Sequence, residues 1–368
     1  MQFAEGRRAK NVSILSQNET QKTIFRKYSS VFQTIFTMPA LDSALTAPTG
    51  QDVNQESKSK ESLMKLAKSL GKLAMYLSFA GAPLAAVAQT GHIQTVWVIV
   101  MENHNWSQIK GSSSAPYINN TVLPMASHAE QYFNPPGNHP SLPNYLWLEA
   151  GTNFGIRDDN PPSSHHQSTT QHLATLLQNK AVSWKTYQEN ITGTTCPLTS
   201  SGLYAVKHNP FVYFDDTTNT LNPNSAECIN HVRPFTEFAS DLANNNVSRY
   251  NFITPNLCDD MHDSCSPLRN PVKQGDTWLS QNLPLILNSA AYKAGGAVFI
   301  TWDESEGGDV PIGMIVLSPF AKGAGFSDTI HYTHGSTLRT IQEIFGVTPL
   351  IRDAANQTNL KNLFAVFP

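Results

Sequence analysis

Charged residues are scarce in this sequence. The part of the chain that we expect to fold has no excess of basic residues. Asp, Glu, Lys and Arg make up 14% of the 368 residues, and the formal net charge is −3. Residues 1–88 carry an excess of five positive charges, whereas residues 89–368 carry an excess of eight negative charges. An acidic body without a basic stripe argues against nucleic acid as a main partner.

Cysteine is also rare, with only four residues in the chain. No two of them have the C-x-x-C spacing that is typical of zinc sites. An even set favours disulfides formed in an oxidising compartment. The local pair Cys258 and Cys265 would close a small loop and leave Cys196 to pair with Cys228. A metal site with cysteine ligands is the alternative.

The first 88 residues are expected to lie outside the fold. Residues 1–63 contain no cysteine or histidine and lack a sustained hydrophobic period, so we interpret them as a non-native or disordered extension. Residues 64–88 combine lysines, the apolar run LAMYLSFAGAPL and the small-residue ending AVA, which is the layout of a secretory signal peptide. This layout predicts translation from Met64 and a mature, secreted or periplasmic domain over residues 89–368. The alternative is an amphipathic helix on an N-terminal domain.

Residues 89–368 alternate between short apolar runs and helix-like segments. Runs that are apolar without alternation indicate strands covered on both faces, and alternation of such strands with helices indicates an α/β sandwich with a largely parallel sheet. The predicted strands are Thr95–Met101, Ser183–Tyr187, Tyr250–Ile253, Ala297–Trp302 and Met314–Leu317. The predicted helices include Thr170–Asn179, Phe235–Asn244, Thr277–Asn288 and Ser336–Phe345.

Two of the predicted strands end in polar residues. Glu102 and Asn103 follow the first strand, and Asp303 and Glu304 follow the strand at residues 297–302. Ligands of parallel sheets bind beyond the carboxyl ends of the strands. Three carboxylates and one amide oxygen suit a divalent cation such as Mg²⁺, Ca²⁺ or Mn²⁺, or Zn²⁺ if histidines join. His104 comes next in the chain, but nothing in its pattern makes it a ligand.

Ser141 lies in the turn HPSLPN, just before a predicted helix at Asn144–Ala150. Backbone N–H groups at a helix start bind anions and stabilise an alkoxide. With a metal nearby, the hydroxyl becomes a candidate nucleophile. The alternative is that Ser141 only caps the helix.

Histidines supply the third part of the predicted site. His262 lies in NLCDDMHDSC, among carboxylates that could bind metal or raise its pKa. His331 and His334 precede a helix that Ser336 could cap, and His208 is a weaker candidate in YAVKHNPF. Metal ligands, a serine at a helix start and histidines that can neutralise phosphate or protonate a leaving group predict phosphoryl transfer through a covalent serine intermediate.

The same motifs, taken in order, resemble the bacterial and fungal phosphoesterase family of phosphatidylcholine-type phospholipases C and secreted acid phosphatases. The resemblance covers nearly all of residues 93–350. It is carried by MENHNW, HPSLPNYLWLEAGT, SWKTYQEN, HNPFVYF, LCDDMHD, GDTWL, TWDESEGG and HYTHGSTLRTIQEIFGV.

This resemblance implies an alkaline-phosphatase-like three-layer α/β/α sandwich. It implies a divalent metal and a serine nucleophile, histidines that contact phosphate, and a small phosphate ester or phospholipid head group as the partner. The predicted metal ligands are Glu102, Asn103, Asp303 and Glu304. The predicted catalytic residues are Ser141, His262 and His334, and the predicted substrate-binding residues are His139, Asn144 and His208.

Two departures from the larger phospholipases C favour a compact acid phosphatase acting on monoesters. Tyr145 occupies a position where those enzymes usually carry Arg, and the chain ends soon after IFGVTPL. A phospholipase C acting on phosphatidylcholine-type diesters and an exported metal- or anion-binding protein without turnover are the alternatives. HPSLP lacks the Cys/Ser-x-Pro-x-Arg motif expected of a sulfatase.

Overall fold

Apolar runs form the strands of the computed structural model, which describes residues 92–368. The first strand, β1, occupies the predicted residues Thr95–Met101. The other strands of this part of the chain are β2 (Ser127–Ala129), β3 (Tyr132–Phe133), β4 (Trp184–Gln188), β5 (Val232–Pro234), β6 (Tyr250–Thr254), β7 (Gly296–Trp302), β8 (Met314–Leu317), β9 (Ser327–Asp328) and β10 (Tyr332–Thr333).

Eight of these strands form one sheet in the order β5-β4-β6-β1-β7-β8-β2-β9. Strands β5, β4, β6, β1 and β7 run parallel to one another, whereas β8 pairs antiparallel with β7 and β2. Every residue of β1 and β7 is buried. Because successive side chains of a strand point to opposite faces, both faces of the sheet centre are covered. The predicted three-layer α/β sandwich with a largely parallel sheet is therefore confirmed.

Helices connect the strands and cover the sheet. They are α1 (Trp106–Ile109), α2 (Leu123–Met125), α3 (Ser141–Ala150), α4 (Pro162–His165), α5 (Leu173–Asn179), α6 (Asp215–Thr218), α7 (Ala226–His231), α8 (Phe238–Ala243), α9 (Pro271–Asn288), α10 (Ala290–Lys293) and α11 (His334–Ile344). Helix α3 packs against α5 and α11, and α9 packs against α8 and α10. Short 3₁₀ segments, including Val206–His208, fill several connections.

Helix starts are where the structure departs most from the sequence predictions. Helix α9 begins at Pro271 rather than at Thr277, because the Asn270 side chain accepts a hydrogen bond from the Lys273 N–H and Pro271 occupies the first helical position. Helix α5 begins three residues later than predicted, and the predicted helix at 235–244 divides into a 3₁₀ turn and α8.

The predicted cap of α11 is also wrong. Thr333, not Ser336, occupies the N-cap position, and Ser336 lies in the first turn of the helix. The Ser336 Oγ accepts a hydrogen bond from the Thr333 N–H at 3.0 Å. This hydrogen bond satisfies a backbone donor at the helix start.

Two disulfides, Cys196–Cys228 and Cys258–Cys265, confirm the predicted pairing. The four cysteines are therefore not metal ligands. No helix within residues 92–368 is long and apolar enough to cross a bilayer. The extension predicted at 1–63 and the signal peptide predicted at 64–88 lie outside the described residues.

Candidate active site

The register of the sheet brings the two predicted acidic strand ends together. Met101 of β1 pairs with Trp302 of β7, so Glu102 and Asp303 leave neighbouring strands at the same edge. Asn103 follows with φ 44°, a left-handed conformation that Asn tolerates better than most residues. This turn lets the Asn103 N–H donate to Asp303 Oδ1 at 2.9 Å.

Ser141 lies directly against Glu102. It is the first residue of α3, and Pro140 occupies the N-cap position without a side-chain cap. The alternative reading of Ser141 as the helix cap is therefore wrong. Its Oγ donates instead to Glu102 Oε2 at 3.1 Å. One helical turn later the Tyr145 hydroxyl donates to Glu102 Oε1 at 2.7 Å, so both oxygens of this carboxylate face helix α3.

A third strand end adds Asp260 to the site. The Glu102 N–H donates to the Asp260 carbonyl at 2.7 Å, which ties the loop after β6 to the end of β1. The ring of His208 lies between the two acids, with Nε2 3.1 Å from Glu102 Oε1 and Nδ1 3.3 Å from Asp260 Oδ2. Glu102, His208 and Asp260 each offer one ligand atom, and these atoms lie within 4.8 Å of one another. The buried triad could therefore hold a metal ion.

Glu304 is held by two predicted substrate-binding residues, His139 and Asn144. Its Oε2 accepts from Asn144 Nδ2 at 3.0 Å and lies 2.8 Å from His139 Nδ1. Asn138 Nδ2 in turn donates to Asn144 Oδ1 at 2.8 Å, which fixes the orientation of that amide. Asn103, His139 and Glu304 also line an open cleft of about 630 Å³. The cleft gives these residues a route to solvent.

Four carboxylates are crowded into this buried site. Burial, followed by the charges of Asp303 and Asp260, raises the pKa of Glu102 well above its usual range. Burial also raises the pKa of Asp260 strongly and that of Asp303 to about 6. Burial and the charge of Asp303 raise the pKa of Glu304 to about 9. These shifts indicate that the folded cluster disfavours four negative charges unless a cation compensates them.

Several buried polar atoms of the cluster have no hydrogen-bond partner, as expected if they are ligands of a cation. Buried side-chain atoms without a hydrogen-bond partner include Asn103 Oδ1, Asp303 Oδ2, Asp260 Oδ2 and His208 Nε2. The 3.1 Å approach of His208 Nε2 to Glu102 is thus a contact without hydrogen-bond geometry. Buried polar atoms are nearly always paired, and exceptions call for an explanation such as a bound ion. Three oxygens and one imidazole nitrogen are suitable ligands for a divalent cation.

The two predicted catalytic histidines have different environments. His334 is completely buried; its Nε2 lies 2.6 Å from the Asp303 carbonyl and its Nδ1 3.1 Å from the Tyr132 hydroxyl. Burial lowers the pKa of His334 to about 4, so the ring is neutral near pH 7. His262 is partly exposed, and its Nδ1 lies 2.8 Å from Asp263 Oδ1. Its catalytic role and that of His334 stay predictions.

The remaining histidines have contacts that the sequence did not predict. His104 Nδ1 lies 2.8 Å from the Glu102 carbonyl. His331 is exposed and stacks on Phe133, with ring centroids 4.8 Å apart. His208 is 2% exposed and stacks on Tyr145. The predicted contact of His208 with substrate stays a prediction, since the contacts present in the structure join it to Glu102 and Asp260.

Two charged residues next to Ser141 were not predicted from the sequence. Lys207 Nζ lies 3.5 Å from Ser141 Oγ and donates to Asp159 Oδ2 at 2.9 Å. Asp159 Oδ1 accepts from the Leu142 N–H at 3.0 Å. The proximity of Tyr145 to Ser141 could have been predicted, because residues four apart share a helix face. The positions of Lys207 and Asp159 could not, because loops that are distant in sequence bring them to the site.

This sheet, with a serine at a helix start and acidic residues at the ends of parallel strands that could hold a metal ion, has the arrangement of an ester hydrolase of the α/β class. The chain belongs to the Phosphoesterase family, whose model matches residues 125–348. The predicted family and the prediction of a phosphoric ester hydrolase are thereby confirmed.

Two relatives with phosphatase names are similar to this chain in sequence. It is 28% identical over 253 residues to a phosphatidylinositol-3-phosphatase from Mycobacterium tuberculosis, covering 68% of this chain and 77% of that protein. It is 29% identical over 227 residues to a phosphate-repressible acid phosphatase from Penicillium chrysogenum, covering 58% of this chain. The aligned region spans 51% of that fungal protein, about half its length.

The lipoteichoic acid synthase LtaP from Listeria monocytogenes has a similar fold. Its structure aligns with a TM-score of 0.50 at 9% sequence identity, covering 75% of this chain and 78% of that chain. At this identity the similarity concerns the fold alone.

Proposed function

We propose that this protein is an acid phosphatase that hydrolyses phosphate monoesters through a phosphoserine at Ser141. The observation that carries the proposal is the placement of the Ser141 hydroxyl 3.1 Å from Glu102, inside a cluster of four buried carboxylates. A serine that served only the helix would cap it, and this one does not. The names of the relatives support a phosphatase, since both printed activities release phosphate.

We propose that Glu102, Asn103, Asp303 and Glu304 hold a divalent cation, with Asp260 and His208 close enough to contribute. The unpartnered Asn103 Oδ1 and Asp303 Oδ2 support this ligand set. When bound, such a cation lowers the pKa of an adjacent hydroxyl and offsets charge on phosphoryl oxygens. Oxygen-rich ligands favour Mg²⁺, Ca²⁺ or Mn²⁺, and the histidine keeps Zn²⁺ among the candidates.

In the first half-reaction, Ser141 Oγ forms a bond to phosphorus while the bond from phosphorus to the leaving oxygen breaks. The serine proton passes to Glu102 Oε2, which already accepts its hydrogen bond. His262 protonates the leaving alcohol from Nε2, because its Nδ1 is engaged by Asp263. We propose that His334, whose Nε2 lies 2.6 Å from the Asp303 carbonyl, positions Asp303 and leaves the proton transfer to His262. In the second half-reaction water attacks phosphorus and gives a proton to His262, while the bond to Oγ breaks and Oγ takes back its proton from Glu102. Phosphate then leaves.

The two alternative functions, a phospholipase C and a binding protein, predict different results in assays of phosphate ester hydrolysis. A phospholipase C would cleave a phosphatidylcholine diester faster than a monoester. An exported binding protein would bind metal or phosphate but would not need Ser141. We also propose export to the periplasm or the medium, which the two disulfides support.

The test compares Ser141→Ala with Ser225→Ala in residues 89–368. Ser225 is a matched control, because it is also a buried serine at a helix start, but it caps α7. Ser141→Ala should abolish p-nitrophenyl phosphate hydrolysis without unfolding the protein. Ser225→Ala should retain activity and lose about 1 kcal/mol of stability. Turnover by Ser141→Ala at the wild-type rate would refute the nucleophile assignment.

A further inference from the structure

Lys207 brings a positive charge to the otherwise acidic surroundings of Ser141. Its Nζ lies 3.5 Å from Ser141 Oγ, and its side chain is 20% exposed. A lysine ammonium has an ordinary pKa of about 10.4, so it is charged at the pH values at which phosphatases are assayed.

Asp159 fixes the position of this ammonium relative to the serine. One oxygen of Asp159 accepts from Lys207 Nζ at 2.9 Å, and the other accepts from the Leu142 N–H at 3.0 Å. Leu142 directly follows Ser141 at the start of α3. The same carboxylate thus fastens both the helix start and the lysine, so the distance from Nζ to Oγ is set by two hydrogen bonds.

We propose that Lys207 binds a non-bridging oxygen of the phosphoryl group on Ser141 and selects monoester dianions over diester monoanions. This inference rests on the proposed phosphoserine mechanism. A phosphoryl group attached to Oγ lies within reach of an ammonium 3.5 Å from that atom. A dianionic phosphate is attracted to a neighbouring positive charge about twice as strongly as a monoanion is, so its binding depends more strongly on Lys207.

The chain offers a matched control for the lysine. Lys185 is also 20% exposed and also pairs with an aspartate, Asp241, with 2.6 Å between Nζ and Oδ2. That pair joins strand β4 to helix α8 and has no contact with Ser141 among the hydrogen bonds of the described residues. Lys207→Met and Lys185→Met thus remove equivalent ion pairs, one beside the nucleophile and one in the scaffold.

The experiment compares p-nitrophenyl phosphate with bis-p-nitrophenyl phosphate. Lys207→Met should lower kcat/KM for the monoester by about 10²- to 10³-fold, the usual effect of removing one group that stabilises the transition state. The loss for the diester should be about 10-fold or less, because a monoanion interacts more weakly with the ammonium than a dianion does. Lys207→Arg should recover much of the monoester activity, and Lys185→Met should leave both rates unchanged.

Binding of inorganic phosphate, measured by calorimetry at a pH where it is a dianion, tests the same contact without turnover. Lys207→Met should weaken phosphate binding by roughly 10-fold or more. The variant should unfold at the wild-type temperature, which would show that it is folded. Equal losses for both esters, or unchanged phosphate binding, would overturn the role of Lys207. A wild-type protein that hydrolyses neither ester would instead overturn the proposed function, while phosphate binding would still decide the assignment of Lys207.

Discussion

The Tyr145 hydroxyl offers the sharpest test of how the site is supported. It donates to Glu102 Oε1 at 2.7 Å, and the tyrosine ring is completely buried beside His208. Tyr145→Phe removes one oxygen atom and leaves the packing of the ring in place. The change therefore isolates one hydrogen bond to a carboxylate that we propose as a metal ligand.

The magnitude follows from the type of bond. A hydrogen bond to a charged group contributes about 1.5–3 kcal/mol, and groups that orient a metal ligand typically change metal affinity by about 10- to 100-fold. The bond also lowers the pKa of Glu102, against the larger effect of burial. Without it that carboxyl holds its proton more tightly, so the loss of metal affinity should grow as pH falls.

The assay is reactivation of the chelated protein by added metal, followed through p-nitrophenyl phosphate hydrolysis. Tyr187→Phe is the control, because its buried hydroxyl also donates to a carboxylate, Asp241 Oδ2, at 2.6 Å. Tyr145→Phe should need about 10- to 100-fold more metal, whereas Tyr187→Phe should need the wild-type concentration. Equal metal requirements in both variants would refute the support of Glu102 by Tyr145.

The remaining predictions concern stability. Bonds to Asp216 and Glu149 outweigh burial and raise the pKa of His172, while burial raises the pKa of Glu149. Both groups hold protons more tightly when folded, so the Glu149 contribution to the free energy of unfolding should fall as pH rises above about 4.3 and the His172 contribution as pH rises above about 6.5. Urea titrations should show a weaker fall above pH 6.5 in His172→Gln, and an unchanged slope would contradict this. Removing Cys196–Cys228, which spans 32 residues, should cost about 4 kcal/mol, against about 2 kcal/mol for Cys258–Cys265, which spans 7. Denaturant midpoints of the two double Cys→Ala variants measure these losses. A larger loss for the Cys258–Cys265 variant would contradict the dominance of loop entropy.

The sequence predicted the central strands well, because burial on both faces leaves a direct trace in composition. Strand β1 was predicted to the residue, and β7 to within one residue of its start. The acidic residues after these strands were then identifiable as neighbours, since parallel strands end at one edge of a sheet. Register was not predictable, and it is the pairing of Met101 with Trp302 that sets Glu102 beside Asp303.

The parts of the site that escaped prediction depend on contacts between distant loops. Lys207 reaches Ser141 across 66 positions of sequence, and Asp159 reaches Lys207 across 48. Asp260 lay in a motif with three other ionisable residues, and only the fold shows that it faces His208. The predicted starts of α9 and α11 were also wrong. The helices begin after the N-cap residues Asn270 and Thr333, and the hydrophobic period alone does not show these positions.

In the proposed mechanism Ser141 carries the phosphoryl group between the two half-reactions. The most direct measurement is acid quenching of the wild-type protein during turnover of a phosphate monoester, followed by peptide mass spectrometry. We expect one phosphoryl group on the peptide that contains Ser141, absent from Ser141→Ala and present in Ser225→Ala. Rapid turnover without any phosphopeptide, or a phosphoryl group on another residue, would contradict this mechanism.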